Sequence, residues 1–127
     1  MIGIDIQDVE RVEKFALTNK MQRMFSQREL EYINQKGNAG ETIAGMFCAK
    51  EAFFKAVGSG INLSQLTQVE IAHHKTGAPY YILSPDVIQQ HNLTAANINL
   101  SISHTKNTAV AVCVILNVVK DLSISSD

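Results

Sequence analysis

A long apolar segment in the middle of the chain predicts a helix that runs through the core. It begins near Thr42 and ends at Gly58, and alanine or large apolar residues fill most of its positions. A glycine at the end of such a run favours the left-handed backbone that closes many helices. Charged side chains within this helix are candidate functional residues, because ionised groups are rarely buried without a partner.

Two charged residues of this helix, Glu51 and Lys55, lie four positions apart and therefore share one helical face. Their spacing alone favours a solvated ion pair on the surface. The apolar residues around them and the Gly58-Ser59-Gly60 loop that follows favour a functional interpretation instead. A carboxylate, an ammonium group and a flexible loop together suit a magnesium-bound phosphate ester.

Length and composition predict one globular domain over residues 1–127. The chain is 46% hydrophobic and carries a formal net charge of −1, which argues against a general nucleic-acid-binding protein. Its longest apolar run, residues 109–119, is too short for a membrane span, and no secretory signal is visible. Cys48 and Cys113 lack the spacing of a zinc or redox motif and are expected to be buried, reduced thiols. These features predict a cytoplasmic protein that binds neither nucleic acid nor membrane.

The pattern of apolar residues predicts an α+β fold. In the first strand, Ile2, Ile4 and Ile6 alternate with Gly3 and Asp5, so one polar face carries a single acid. Helices, including the long central helix, are expected to pack on a mainly antiparallel sheet. The remaining strands are predicted over Gln68–His74, Pro79–Leu83, Ile98–Ser103 and Thr108–Leu116, and further helices after the caps Asp8, Ser26 and Ser84.

Asp5 and Glu51 are the candidate metal ligands, provided that the first strand and the central helix bring them together. Magnesium commonly takes one or two protein carboxylates and completes its shell with water and phosphate oxygens. Two acids are therefore enough for a metal that arrives with a diphosphate. A solvated charge on an edge strand is the alternative for Asp5.

Histidines provide weaker signals. His104 follows hydroxyl residues at a strand end and precedes Lys106, which suits an anion-binding corner, although an exposed turn histidine is the alternative. His73 and His74 are adjacent on a predicted strand and point to opposite faces, so they cannot chelate one metal and are interpreted as structural.

Three separated blocks of the sequence together resemble one family. Gly3–Ile6, Phe47–Ala56 with Gly58-Ser59-Gly60, and Ser101–Thr105 resemble holo-[acyl-carrier-protein] synthase, the short type of 4′-phosphopantetheinyl transferase. Gly77-Ala78-Pro79 is also similar to the family's Gly-x-Pro turn. The blocks occur in the family's order and span nearly the whole chain, so the resemblance implies a 4′-phosphopantetheinyl transferase-like fold.

The resemblance implies transfer of the 4′-phosphopantetheine group of coenzyme A to a serine of apo-acyl carrier protein, with release of adenosine 3′,5′-bisphosphate. This reaction serves fatty acid biosynthesis and depends on Mg²⁺, for which Asp5 and Glu51 match the family's metal-binding acids. The family works as a homotrimer with active sites between subunits.

The same resemblance implies roles for further residues. Glu29 or Glu31, or a metal-held water, could act as the base for the carrier's serine, and the sequence leaves these alternatives open. Carrier docking is assigned to Arg11 and Arg23, with Lys14, Lys20 and Arg28 as reinforcement on a basic face. The coenzyme A-binding residues are Lys55, Gly58, Ser59, Gly60, Gly77, Pro79, His104 and Thr105.

One position departs from the family. Met46 stands where an arginine is common in the family, and Lys50, Lys75 or Lys106 is expected to take over part of the arginine's phosphate-binding role.

Two other functions are alternatives: a catalytically inactive carrier-binding module and a Mg-dependent hydrolase of nucleotide diphosphates. The joint presence of Asp5, Glu51 and Lys55 argues against the inactive module. The basic helix face argues weakly against the hydrolase, because a small substrate needs no docking surface.

Overall fold

The computed structural model describes residues 1–117, which form five strands, five α-helices and one 3₁₀ helix. All strand pairs among these residues are antiparallel, so the predicted α+β class is confirmed. The strands are β1 (Ile2–Asp8), β2 (Val69–His73), β3 (Pro79–Leu83), β4 (Ala96–His104) and β5 (Thr108–Asn117). The helices are α1 (Val9–Thr18), α2 (Met21–Met24), α3 (Gln27–Asn34), α4 (Ala39–Val57), a 3₁₀ helix (Leu63–Gln68) and α5 (Pro85–Gln90).

Helix α4 is the predicted core helix, and it begins at Ala39 rather than near Thr42. Most of its residues from Ile43 onward are buried, which confirms its central position. Gly58 ends the helix in the left-handed region, with a φ of 76°, and its N–H donates to the carbonyl oxygen of Lys55 at 3.1 Å. Within residues 1–117, no helix combines the length and apolar character that a membrane crossing requires.

One face of a three-stranded sheet, in the order β1-β5-β4, packs against α4. Alternate residues of β5 are buried on this face, namely Ala109, Ala111, Cys113 and Ile115. Cys48 of α4 is also buried, and neither cysteine forms a disulfide, which confirms the prediction of two buried thiols. Strands β2 and β3 form a separate hairpin.

The acid-bearing face of β1 lies against α4. Gly3 is buried and Asp5 is only 4% exposed, whereas Ile2, Ile4 and Ile6 on the opposite face are exposed. A Cβ atom on Gly3 would lie 2.0 Å from the carbonyl oxygen of Ala52, so only glycine permits this close approach of strand to helix. The predicted alternation is therefore confirmed, and the alternative of a solvated charge at Asp5 is excluded.

Candidate active site between strand β1 and helix α4

Asp5 is held in place by two side chains and lies beside the exposed end of Lys55. Its Oδ1 accepts a hydrogen bond from Lys55 Nζ at 3.0 Å, and its Oδ2 accepts one from Gln7 Nε2 at 2.9 Å. Lys55 also donates to the carbonyl oxygen of Ile4 at 3.1 Å. Strand β1 and helix α4 thus place an ammonium group directly beside a buried carboxylate.

Glu51 lies one turn before Lys55 on α4 and is electrostatically coupled to Asp5. Burial raises the pKa of Glu51, and the negative charge of Asp5 raises it further, while Lys55 and Arg11 lower it. Two carboxylates that repel each other in this way are stabilised by a cation between them. Within the described part of the chain, no cluster of three or more His, Cys, Asp or Glu residues is arranged to bind a metal. The two acids therefore fit Mg²⁺ that takes its other ligands from water and a phosphate-containing substrate.

A cavity of about 330 Å³ opens beside Glu51. Its wall combines the Glu51 carboxylate and the Arg11 guanidinium with apolar side chains, so it can accept a molecule that has both an anionic and an uncharged part. The loop that contains Ser59 and Gly60 leads directly into this wall. The lining residues are Gln7, Arg11, Val12, Phe15, Phe47, Glu51, Ile61 and Leu63.

A second cleft brings together three of the predicted coenzyme A-binding residues, Gly77, Pro79 and His104. His104 Nδ1 lies 3.1 Å from Glu41 Oε1. The residues that line this cleft are not those that line the cavity at Glu51. On one chain, Gly77, Pro79 and His104 share this cleft, whereas Lys55 pairs with Asp5 and the loop of residues 58–60 follows α4. Thr105 lies in the turn after β4, where its Oγ1 accepts hydrogen bonds from the backbone of residues 107 and 108.

Met46 lies in the wall of this second cleft and is 1% exposed. The position where the family resemblance predicts arginine therefore lies in one cleft with Gly77, Pro79 and His104. Lys75 and Lys106 are exposed, and their compensating role stays a prediction.

Lys50 lies in the core, and its Nζ donates to Glu29 Oε1 at 2.9 Å and to the carbonyl oxygens of Leu66 and Val69 at 2.6 and 2.9 Å. All three of its N–H donors are used, and its side chain has no exposed surface. The prediction that Lys50 helps to bind phosphate is therefore wrong.

Glu29 is also a structural residue. Its Oε1 accepts from the backbone N–H of Ser26 at 2.9 Å, in a capping box, and its Oε2 accepts from that of Ile71 at 3.0 Å. The residue is 1% exposed and cannot accept a proton from a hydroxyl group outside the core. The prediction of Glu29 as a base is therefore wrong, whereas Glu31 is exposed and stays a prediction.

The predicted docking residues divide into two regions. Arg11 and Arg23 each line a cavity that Phe15 also lines, on the side of α1 and α2. Lys14, also on α1, pairs with Glu10 at 3.0 Å on the surface. Arg28 lies on α3 and pairs with Glu70 of β2 at 2.8 Å. A docking face built on α1 and α2 therefore contains Arg11, Lys14 and Arg23 but not Arg28.

Comparison with known proteins identifies the class to which this fold and site belong. The sequence profile of the 4′-phosphopantetheinyl transferase superfamily matches residues 1–113, and the chain belongs to this superfamily. Within it, the chain is similar to holo-[acyl-carrier-protein] synthases, as the three sequence blocks predict. The protein of that name from Fusobacterium nucleatum is 40% identical over 119 residues, which cover 91% of this chain and 97% of the relative.

Solved structures agree in fold. The holo-[acyl-carrier-protein] synthase of Helicobacter pylori, crystallised in complex with coenzyme A, has a TM-score of 0.76 at 34% sequence identity. The matched region covers 91% of this chain and 100% of the Helicobacter pylori chain. The corresponding structure from Bacillus anthracis, also in complex with coenzyme A, has a TM-score of 0.75 at 38% identity. The matched region covers 90% of this chain and 93% of the Bacillus anthracis chain. The predicted fold of the short-type transferases is thereby confirmed.

Proposed function

We propose that the protein transfers the 4′-phosphopantetheine group of coenzyme A to a serine of apo-acyl carrier protein. The observation that carries this proposal is the pairing of buried Asp5 with Lys55, together with the electrostatic interaction of Asp5 with Glu51, a residue that lines a largely apolar cavity. Its relatives named holo-[acyl-carrier-protein] synthase, and the coenzyme A complexes among them, support the same reaction. The protein is an enzyme of the phosphopantetheinyl transferase class.

Asp5 and Glu51 are the residues that would hold Mg²⁺, and the bound ion would neutralise charge on the diphosphate of coenzyme A. Lys55, oriented by Asp5, contributes a further positive charge at the same place. In the transfer, the serine oxygen of the carrier forms a bond to the phosphorus that bears pantetheine, and the bond from that phosphorus to the bridging oxygen breaks. Adenosine 3′,5′-bisphosphate leaves, and the serine proton passes to a base, for which exposed Glu31 and a metal-held water are the candidates.

A homotrimer with active sites between subunits is also part of the proposal. Of the predicted coenzyme A-binding residues, Gly77, Pro79 and His104 line the second cleft on one chain. Lys55 instead pairs with Asp5 and lines neither this cleft nor the cavity at Glu51, which suits a site completed by a second copy. The outer face of the sheet offers a surface for that contact, since exposed Ile2, Ile4 and Ile6 lie opposite valines of β5 in the strand register. An apolar stripe of this kind is typical of a protein interface.

The carrier is proposed to dock on the basic side chains of α1 and α2, because acyl carrier proteins are strongly acidic. Fatty acid biosynthesis in the cytoplasm is the proposed setting. The two free thiols, Cys48 and Cys113, support a reducing compartment.

The decisive experiment incubates the protein with apo-acyl carrier protein, coenzyme A and Mg²⁺ and records the intact mass of the carrier. The expected result is a gain of one phosphopantetheine, which disappears when EDTA removes the metal. Asp5→Asn and Glu51→Gln should each lower kcat/KM on the order of 100-fold, because each removes a charged group that acts on the reacting diphosphate. Consumption of coenzyme A without a mass gain would indicate the hydrolase instead. Carrier binding without either change would indicate the inactive module.

A further inference from the structure

His73 lies in the wall of the second cleft, together with Met46, Gly77, Pro79 and His104. It is the last residue of β2 and pairs in register with Pro79, the first residue of β3. Its ring is therefore fixed at the base of the turn that carries two of the predicted coenzyme A-binding residues. Sequence patterns alone assigned it only a structural role.

The imidazole of His73 is held flat against the ring of Tyr32. The two ring centroids are 3.9 Å apart, and the planes differ by only 3°. Tyr32 is itself covered by Lys36, whose Nζ lies 4.9 Å from the centre of the tyrosine ring. This stack fixes the plane of the imidazole before any ligand is present, and pre-organisation lowers the entropic cost of binding.

The Nδ1 atom of His73 is buried and has no hydrogen-bond partner among the described residues. Buried polar atoms are almost always hydrogen-bonded, so an unpartnered nitrogen on a residue that lines a cleft is a candidate to bond a ligand there. Burial lowers the pKa of His73, and the charge of Lys36 lowers it further, which favours the neutral form of the ring. A neutral ring suits an uncharged partner better than a phosphate.

The cleft that His73 lines has both apolar and polar side chains. Met46, Pro79 and Ile102 supply apolar surface beside the polar side chains of Glu41, Thr42 and His104, and such a mixed lining suits an uncharged group that carries polar atoms. We propose that His73 is a specificity-determining residue whose Nδ1 forms a hydrogen bond with the uncharged adenosine part of coenzyme A. The proposal depends on the function proposed above, because it assumes that coenzyme A binds in this cleft.

The test compares variants that keep or remove the hydrogen-bonding atom. His73→Phe retains a flat ring on Tyr32 but has no polar atom, and it should raise KM for coenzyme A about tenfold with kcat unchanged. His73→Asn places an amide near the position of Nδ1, so its KM for coenzyme A should lie close to the wild-type value. His74→Phe is the matched control, because His74 also stacks on a tyrosine, Tyr80, but does not line this cleft, and its KM should stay at the wild-type value.

Substrate analogues identify the contacted part. For His73→Phe, KM should rise by the same factor with 3′-dephospho-coenzyme A, since the 3′-phosphate is not involved. Inhibition by 4′-phosphopantetheine, which lacks the nucleotide, should be unchanged. An unchanged KM in His73→Phe, or a rise confined to the substrate with its 3′-phosphate, would overturn the inference. If the wild-type protein itself fails to modify the carrier, the proposed function fails, which is a different outcome from a silent His73 variant in an active enzyme.

Discussion

Lys50 and Glu51 are neighbours in the chain, yet they serve different parts of the molecule. Successive helical residues point about 100° apart, so one side chain of this pair enters the core while the other faces the cavity. Lys50 joins α4 to the capping box of α3 and to the chain around Val69. Glu51 remains available for a ligand beside Asp5. Of these two adjacent residues, Lys50 therefore forms a buried ion pair, and Glu51 lines a cavity, where metal binding is its proposed role.

The buried ion pair should be essential for stability. Glu29→Gln removes the charge that compensates Lys50 inside the core, and loss of one partner from such a pair costs about 3–5 kcal/mol in the free energy of unfolding. Chemical denaturation measures this loss. Glu31→Gln changes an exposed residue of the same helix and should alter stability by no more than about 0.5 kcal/mol. Equal stability of the two variants would show that the pair does not contribute.

The pH dependence of metal binding should respond to Lys55. Burial and Asp5 raise the pKa of Glu51, whereas the positive charge of Lys55 lowers it. Lys55→Met removes that charge, so the pKa of Glu51 should rise further. Because Mg²⁺ needs the ionised carboxylate, the acid limb of Mg²⁺ binding should move to higher pH, as measured by calorimetry across a pH series.

Lys14→Met is the control for this experiment, since Lys14 pairs with Glu10 on the surface of α1. Its acid limb should coincide with that of the wild-type protein. A Lys55→Met limb that stays in place or moves to lower pH would contradict the proposed coupling.

At the level of elements, the end of α4 depends on one backbone conformation. Gly58 has a φ of 76°, which costs about 1–2 kcal/mol for a residue with a side chain. Gly58→Ala should therefore destabilise the protein by about that amount, measured as a shift in the thermal unfolding midpoint. Gly37→Ala in the loop before α4 is the control, because a Cβ there meets no atom within 4 Å and the backbone is not left-handed. A Gly58→Ala variant as stable as this control would contradict the argument.

Elements with strong periodicity or clear caps could be predicted from the sequence, as α4, the capping box at Ser26 and the hairpin of β2 and β3 demonstrate. Helix α2 and the 3₁₀ helix could not, because they are too short for a repeat to be visible. The approach of Asp5 to Glu51 was also predictable, since both acids stand in distinctive motifs, whereas their role in metal binding stays a prediction. The partner of Lys50 was not, because its contacts with Glu29 and with the carbonyl oxygens of Leu66 and Val69 exist only in the folded chain.

For the whole molecule, the outer face of the sheet should determine the oligomeric state. Ile4 is 62% exposed and lies between Ile2 and Ile6 on that face. Ile4→Asp should convert the assembly to monomers in analytical ultracentrifugation and should strongly reduce transferase activity. Leu17→Asp is the control, because Leu17 is 68% exposed but lies on α1. A wild-type protein that already sediments as a monomer, or an Ile4→Asp variant that remains assembled, would contradict this interface.

Gly3 has no side chain, and this has a consequence for the ionic radius that the proposed metal site accepts. The strand can lie so near to α4 only because no Cβ intervenes, and Asp5 follows two residues later on the same face. Mg²⁺ binds oxygen at about 2.0–2.1 Å and Ca²⁺ at about 2.3–2.6 Å, so a wider gap between the acids suits the larger ion. Any side chain tolerated at residue 3 would separate strand from helix and shift the preference toward larger divalent ions.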